Sequence, residues 1–315
     1  MPTPPKNIYN LEFPSYVNEM TIGEYIFRRE AEYPAAYSKL EHRVHSDGGE
    51  FSTRLTTGSH QITATATYTG SGAEKTPALQ WPAGCTQLDD ILLILDLFTG
   101  RSVFALNPGE EQGVVITRDP RMSFYGGCLH CAIEYETVHV TDENGWAGNS
   151  YDIGFEKTMN KVLTLISSPE WQQKYDGGYF LFLYKASMHP QIIEAMFILC
   201  WTIWNQIFSI EHRTTLTDAQ LRNTKERQKI AYILQQYFFS EPLNEAALEE
   251  VERLCRCRHR VVHIGKRTDD VDSQELVLFV RATEFLIAKV LGLEPSNLFN
   301  TWERLSDFLR GSPQT

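Results

Sequence analysis

Residues 245–267, EAALEEVERLCRCRHRVVHIGKR, open with acidic side chains, close with basic ones and carry apolar residues at intervals of three and four. That spacing predicts an amphipathic α-helix, and the order of charges complements the helix dipole. Gly265 is well placed to stop it. Working outward, the same periodicity recurs from about residue 151 onward, where segments lengthen and glycine thins out. It predicts helices over 152–167, 169–187, 190–213, 224–240, 245–263, 270–292 and 297–310. Pro169, Pro190, Pro242 and Gly292 serve as their start and stop signals. The stretch QIIEAMFILCWTIWNQIFSIEH (191–212) is apolar on most faces, as a helix at the centre of a bundle must be. Its Met and Trp residues read as core.

The first 150 residues have a different texture. FSTRLTTGSHQITATATYTG (51–70) and CLHCAIEYETVHVTD (128–142) are rich in β-branched and aromatic residues with partial alternation, and both read as strands. In LDDILLILDLFTGRSVFAL (88–106) the first part fits a short buried helix, and RSVFAL after Gly100 fits a strand. The expected fold is therefore α+β. A β-rich domain over 1–150 precedes an all-α bundle over 151–315.

With 315 residues, 42% of them hydrophobic, the chain has enough material for two cores. No run approaches eighteen uninterrupted apolar residues and the N-terminus lacks a signal-peptide pattern, so the expected location is the cytoplasm, away from membranes. Six cysteines are too few for a disulfide scaffold at this length. Cys85, Cys128, His130 and Cys131 lack the paired spacing of a structural zinc site, and no metal or other cofactor is expected. Sequence patterns of P-loop ATPases, serine hydrolases of the Gly-x-Ser-x-Gly type and His-Glu-x-x-His proteases are absent.

A net charge of −11 argues at first against a nucleic-acid partner. Its distribution reverses that reading. Residues 1–150 hold 10 Lys and Arg against 19 Asp and Glu, whereas residues 151–315 hold 19 against 21. The stretch 253–267 contains Arg253, Arg256, Arg258, Arg260, Lys266 and Arg267 without a single acid. Two imidazoles, His259 and His263, lie inside that patch.

Arg258 and His263 enclose four residues near the predicted helix end, His259 follows the Arg as a polar residue, and Gly265 comes shortly after. In this the segment resembles the Arg-x4-6-His ribonuclease motif of the HEPN superfamily, whose domains are small helical bundles. DDILLILDLFTGRSV has a looser resemblance to the β-rich regions that precede HEPN domains in ApeA-like defence proteins. The resemblance implies a metal-independent endoribonuclease, a toxin or antiviral-defence effector whose acidic N-terminal domain senses a ligand, restrains the nuclease or meets an antitoxin. It implies His263 as general acid or base, Arg258 as phosphate clamp and His259 in support. Arg256, Arg260 and Lys266 would grip the RNA backbone, with tRNA among the candidate substrates. Those residue types suit metal-free RNA cleavage, because imidazole transfers protons near neutrality and guanidinium offers permanently charged donors to phosphate.

On an ideal helix Arg258 and His263 stand about 140° apart, whereas His259 and His263 share a face. HEPN nucleases usually pair so that two motifs face each other, and a two-fold homodimer through this helix is expected accordingly. The alternative is a non-catalytic HEPN module using the same helix for dimerisation or ligand binding. Glu211, late in the central helix, reads either as a solvated helix end or as the acidic residue that some HEPN domains place across the bundle.

Overall fold

The computed structural model describes residues 4–14, 17–40, 43–46, 49–54, 60–110, 128–133, 150–188, 192–239 and 242–294. The chain divides into two compact units, one formed by 1–130 with 135–169 and the other by 131–134 with 170–315. The architecture is α+β, with an antiparallel sheet in the first unit and helices in the second.

The sheet has five strands: β1 (Lys6–Tyr9), β2 (Glu19–Ile22), β3 (Tyr25–Arg29), β6 (Ile62–Tyr68) and β7 (Phe104–Leu106), in the order β2-β3-β6-β1-β7. Helix α1 (Tyr33–Leu40) follows β3, and β4 (Arg43–Ser46) pairs with β5 (Gly49–Arg54) in a separate two-stranded ribbon. Alternation places Met20 and Ile22 of β2, and Tyr25 and Phe27 of β3, in the core. The Thr-rich stretch 51–70 thus contributes to two strands in different sheets.

The ambiguous segment 88–106 is a helix followed by a strand. Helix α2 (Gln87–Thr99) opens on a capping box between Thr86 and Asp89 and closes on Gly100, whose φ of 66° is the left-handed conformation that glycine adopts without strain. Two buried carboxylates on α2 hold the chain on either side. Asp90 accepts from the backbone N–H of Ala78 (2.6 Å) and from Trp81 Nε1 (2.9 Å), while Asp96 accepts from the N–H of Val103 (2.6 Å).

Helix α3 (Ser150–Ile166), expected as the first helix of the bundle, belongs instead with the sheet. It packs on α2 and β2, and the side-chain amide of Asn160 meets the edge of β2, the outermost strand among the described residues. Its Nδ2 donates to the carbonyl of Thr21 (2.7 Å), and its Oδ1 accepts from the N–H of Gly23 (2.9 Å). One side chain thereby satisfies edge groups that a further strand would have paired. The boundary expected at 150/151 accordingly moves to about 169/170, since helical periodicity reveals an apolar face but not its partner. A second correction concerns 128–142. Residues Leu129–Ala132 form a turn of 3-10 helix that brings Leu129 and Ala132, both buried, onto one side. The β-branched alternation begins only after them, and 134–142 lie outside the described residues.

Among the described residues the second unit contains α4 (Pro169–Tyr175), α5 (Tyr179–Ser187), α6 (Ile193–His212), α7 (Asp218–Asn223), α8 (Glu226–Tyr237), α9 (Glu245–Ile264) and α10 (Ser273–Val290). The single helix expected over 169–187 is broken because Asp176, Gly177 and Gly178 all adopt positive φ. The helix expected over 297–310 lies outside the described residues.

Helix α6 packs against α5, α8, α9 and α10. By length and composition it could cross a bilayer, yet Met196, Phe197, Cys200, Trp201, Ile203, Trp204, Ile207 and Phe208 are buried inside this unit. At its middle Trp204 stacks on Phe279 and Phe238, and its Nε1 donates to Thr283 Oγ1 (2.9 Å). We expect Trp204→Ala to lower the unfolding free energy by about 3–5 kcal/mol and Trp204→Phe to cost less, as urea denaturation would measure.

Candidate functional site at the end of helix α9

Asn244 caps the first turn of α9, its Oδ1 accepting from the N–H of Ala247 (2.9 Å). At the other end Gly265, with φ 76°, lets its N–H reach the carbonyl of Val261 (2.9 Å). A buried stripe of Ala247, Val251, Leu254, Cys257 and Val261 turns one side inward. Glu249, Arg256 and both histidines lie exposed away from that stripe.

Much of the basic patch is neutralised by carboxylates from other segments. Arg253 bonds to Glu250, to Glu275 of α10 and to the carbonyl of Asp270. Arg267 reaches Glu194 at the start of α6 (3.1 Å), and Arg256 faces Asp270 at 3.8 Å. Arg253 and Arg267 thus fasten α9 and its following loop to neighbouring helices. Arg260 and Lys266 have no ion pair among the described residues.

The structure brings His259 and His263 together. Both are exposed, and their ring centroids are 4.3 Å apart with planes tilted by 52°. Arg258 is not on their face. It is half-buried beside the inward stripe, and its buried Nε has no hydrogen-bond partner. A guanidinium with an unused donor is an incomplete arrangement, since a buried N–H normally finds an acceptor. Val262 (46% exposed) and Ile264 (67%) add apolar surface to the same helix end. Neighbouring Cys255 is no candidate nucleophile, because burial pushes its thiol up to about 12.

One supporting residue had no sequence signal. Glu226, the first residue of α8, accepts from Trp201 Nε1 (2.6 Å) and Asn205 Nδ2 (2.9 Å) of α6 and pairs with Lys229 (2.9 Å). It ties together two helices against which α9 packs. In the sequence it is one of many acids at a helix start, and only the indole facing it sets it apart. Glu211 is not a solvated helix end, for it accepts from the Tyr237 hydroxyl (2.8 Å) and pairs with Lys174 (3.0 Å). Among the isolated histidines, His60 is hydrogen-bonded to Asn10 (2.8 Å) and His212 lies between Phe208 and Tyr232. His139 and His189 lie outside the described residues.

No protein-family model, curated protein or solved structure matches the chain. The chemistry of the site is what a functional reading stands on.

Burial opposes the charge of Glu226, but the hydrogen bonds from Trp201, Lys229 and Asn205 outweigh it and hold the carboxyl below its ordinary value of 4.5. Its stabilising effect is thus present above 4.5 and is lost as pH falls through the depressed folded-state value. We expect Glu226→Gln to cost about 1–2 kcal/mol at neutral pH. The difference from wild type should shrink on acidification below 4.5, as urea unfolding at a series of pH values would show.

Proposed function

We propose that this chain is a metal-independent endoribonuclease of the HEPN type, acting as a homodimer in a toxin or antiviral-defence role. The observation that carries the reading is the pair of exposed imidazoles at the end of α9, with Arg258, whose Nε has no hydrogen-bond partner, one residue before His259. In the reaction the 2′-hydroxyl of a ribose attacks the adjacent phosphorus and the bond to the 5′-oxygen breaks. The products are a 2′,3′-cyclic phosphate and a 5′-hydroxyl. One proton must leave the nucleophile and another must reach the leaving oxygen, and His263, supported by His259, is the group to which we assign that transfer. Arg258 would place its donors on the phosphate oxygens as their charge grows. Arg260, Lys266 and Arg256 would hold flanking phosphates.

Because Arg258 and His263 face different directions on one helix, the proposed site is composite, with the motif of a second copy opposite the first. The exposed Val262 and Ile264 supply apolar surface suited to that pairing. The acidic first unit, unsuited to holding RNA, would act as the sensing or regulatory part.

Incubation with total RNA and with tRNA in EDTA tests the reading. Wild type should release 2′,3′-cyclic ends, and Arg258→Ala and His263→Ala at matched dimer content should each lower cleavage by about a hundredfold or more. Cleavage that persists in both variants would sink the assignment. An intact dimer that cuts nothing, even with candidate ligands of the first unit present, would favour a non-catalytic dimerisation module.

A further inference from the structure

The two imidazoles that suit proton transfer also suit chelation. His259 and His263 are one turn apart on an exposed face with ring centroids 4.3 Å apart. The same spacing on a helix supplies two of the zinc ligands in His-Glu-x-x-His enzymes. With Zn–N bonds of about 2.0–2.1 Å and a tetrahedral angle, two imidazoles on one ion have ring centres about 5 Å apart. Small rotations of two solvent-facing side chains reach that separation from the one observed.

Among the described residues no group of three or more His, Cys, Asp or Glu gathers anywhere. The pair would hold an ion through two nitrogens, with water completing the shell. Its surroundings select the kind of ion. Among the described residues no carboxylate joins the pair in a ligand group, so magnesium and calcium would not find there the several oxygen ligands they need. Imidazole favours the later first-row ions. The charge opposing a dication is less than the sequence suggests, because Arg253, Arg256 and Arg267 each face a carboxylate.

We propose that His259 and His263 form a bidentate chelating site for zinc, water filling the remaining positions, and that the bound ion switches the chain off by occupying the nitrogens that would move protons. The inhibitory half rests on the nuclease reading, whereas the chelating half does not.

The test is titration of untagged full-length protein with zinc salt alone against a chromogenic chelator, using wild type, His259→Ala, His263→Ala and Arg260→Ala. Circular dichroism checks that each variant keeps its helices. We expect one zinc per chain, undisturbed by excess magnesium. Affinity should fall roughly tenfold or more in either histidine variant and be unchanged or tighter in Arg260→Ala. No binding by wild type, or binding indifferent to either histidine, would overturn the site. A parallel arm adds zinc to an RNA-cleavage reaction free of chelator. Inhibition should follow the same midpoint as binding, and cleavage that continues at saturation would overturn the inhibitory role. A wild type inactive without zinc would remove the nuclease reading and the inhibition together, leaving chelation to be decided by the titration.

Discussion

Helix α6 carries apolar side chains around most of its circumference, and their burial is the constraint from which the rest of the second unit follows. A helix of that kind is stable in water only when neighbours cover it, and α5, α8, α9 and α10 all pack on it. The stack of Trp201, Trp204 and Phe279 settles how α10 lies on it, and the Trp204–Thr283 hydrogen bond satisfies the one polar atom that the indole would otherwise bury unpaired. Glu226 does the same for Trp201. Aromatic bulk and two hydrogen-bonded indoles thus determine where α9 can sit.

The direction in which α9 presents its chemistry follows from that placement. Its inward stripe repeats at three and four residues from Ala247 to Val261, which leaves His259 and His263 outside and Arg258 at the margin. The acidic residues that neutralise Arg253 and Arg267 come from α10 and α6 as well as from α9 itself. A patch that is continuously basic along the chain is therefore, in space, a smaller group of free cations around two imidazoles. Within fifteen residues, Arg253, Arg256 and Arg267 face carboxylates while Arg258 and Arg260 have no ion pair among the described residues, a difference that only their neighbours in space reveal.

The first unit is held by a different device. Its sheet is flanked by polar side chains that stand in for missing backbone partners: Asn160 along the edge of β2, Asp90 and Asp96 at either side of α2, and Asn10, whose amide reaches both His60 and the carbonyl of Ser102. Asn10, Asp90 and Asp96 are themselves buried and each meets a group that would be costly to bury unpaired, whereas the bonds of Asn160 lie at the exposed edge of the sheet. Arg101, 4% exposed, is matched by Glu12 at 3.0 Å in the same way.

Local patterns in the sequence determined the elements themselves. The period of α6 and α9, the capping box at Thr86 and the glycine stops at Gly100 and Gly265 are encoded by neighbours within a few residues, so they are legible without a fold. The adjacency of His259 and His263 belongs with them, because helix geometry alone places residues one turn apart on one face. Tertiary structure decided what those patterns could not: that α3 joins the sheet, that Glu226 meets Trp201, and that Arg253 and Arg267 are spent on neighbouring helices. Each depends on contacts between segments far apart in the chain, where periodicity shows that a face is apolar or charged but carries no record of which surface will meet it.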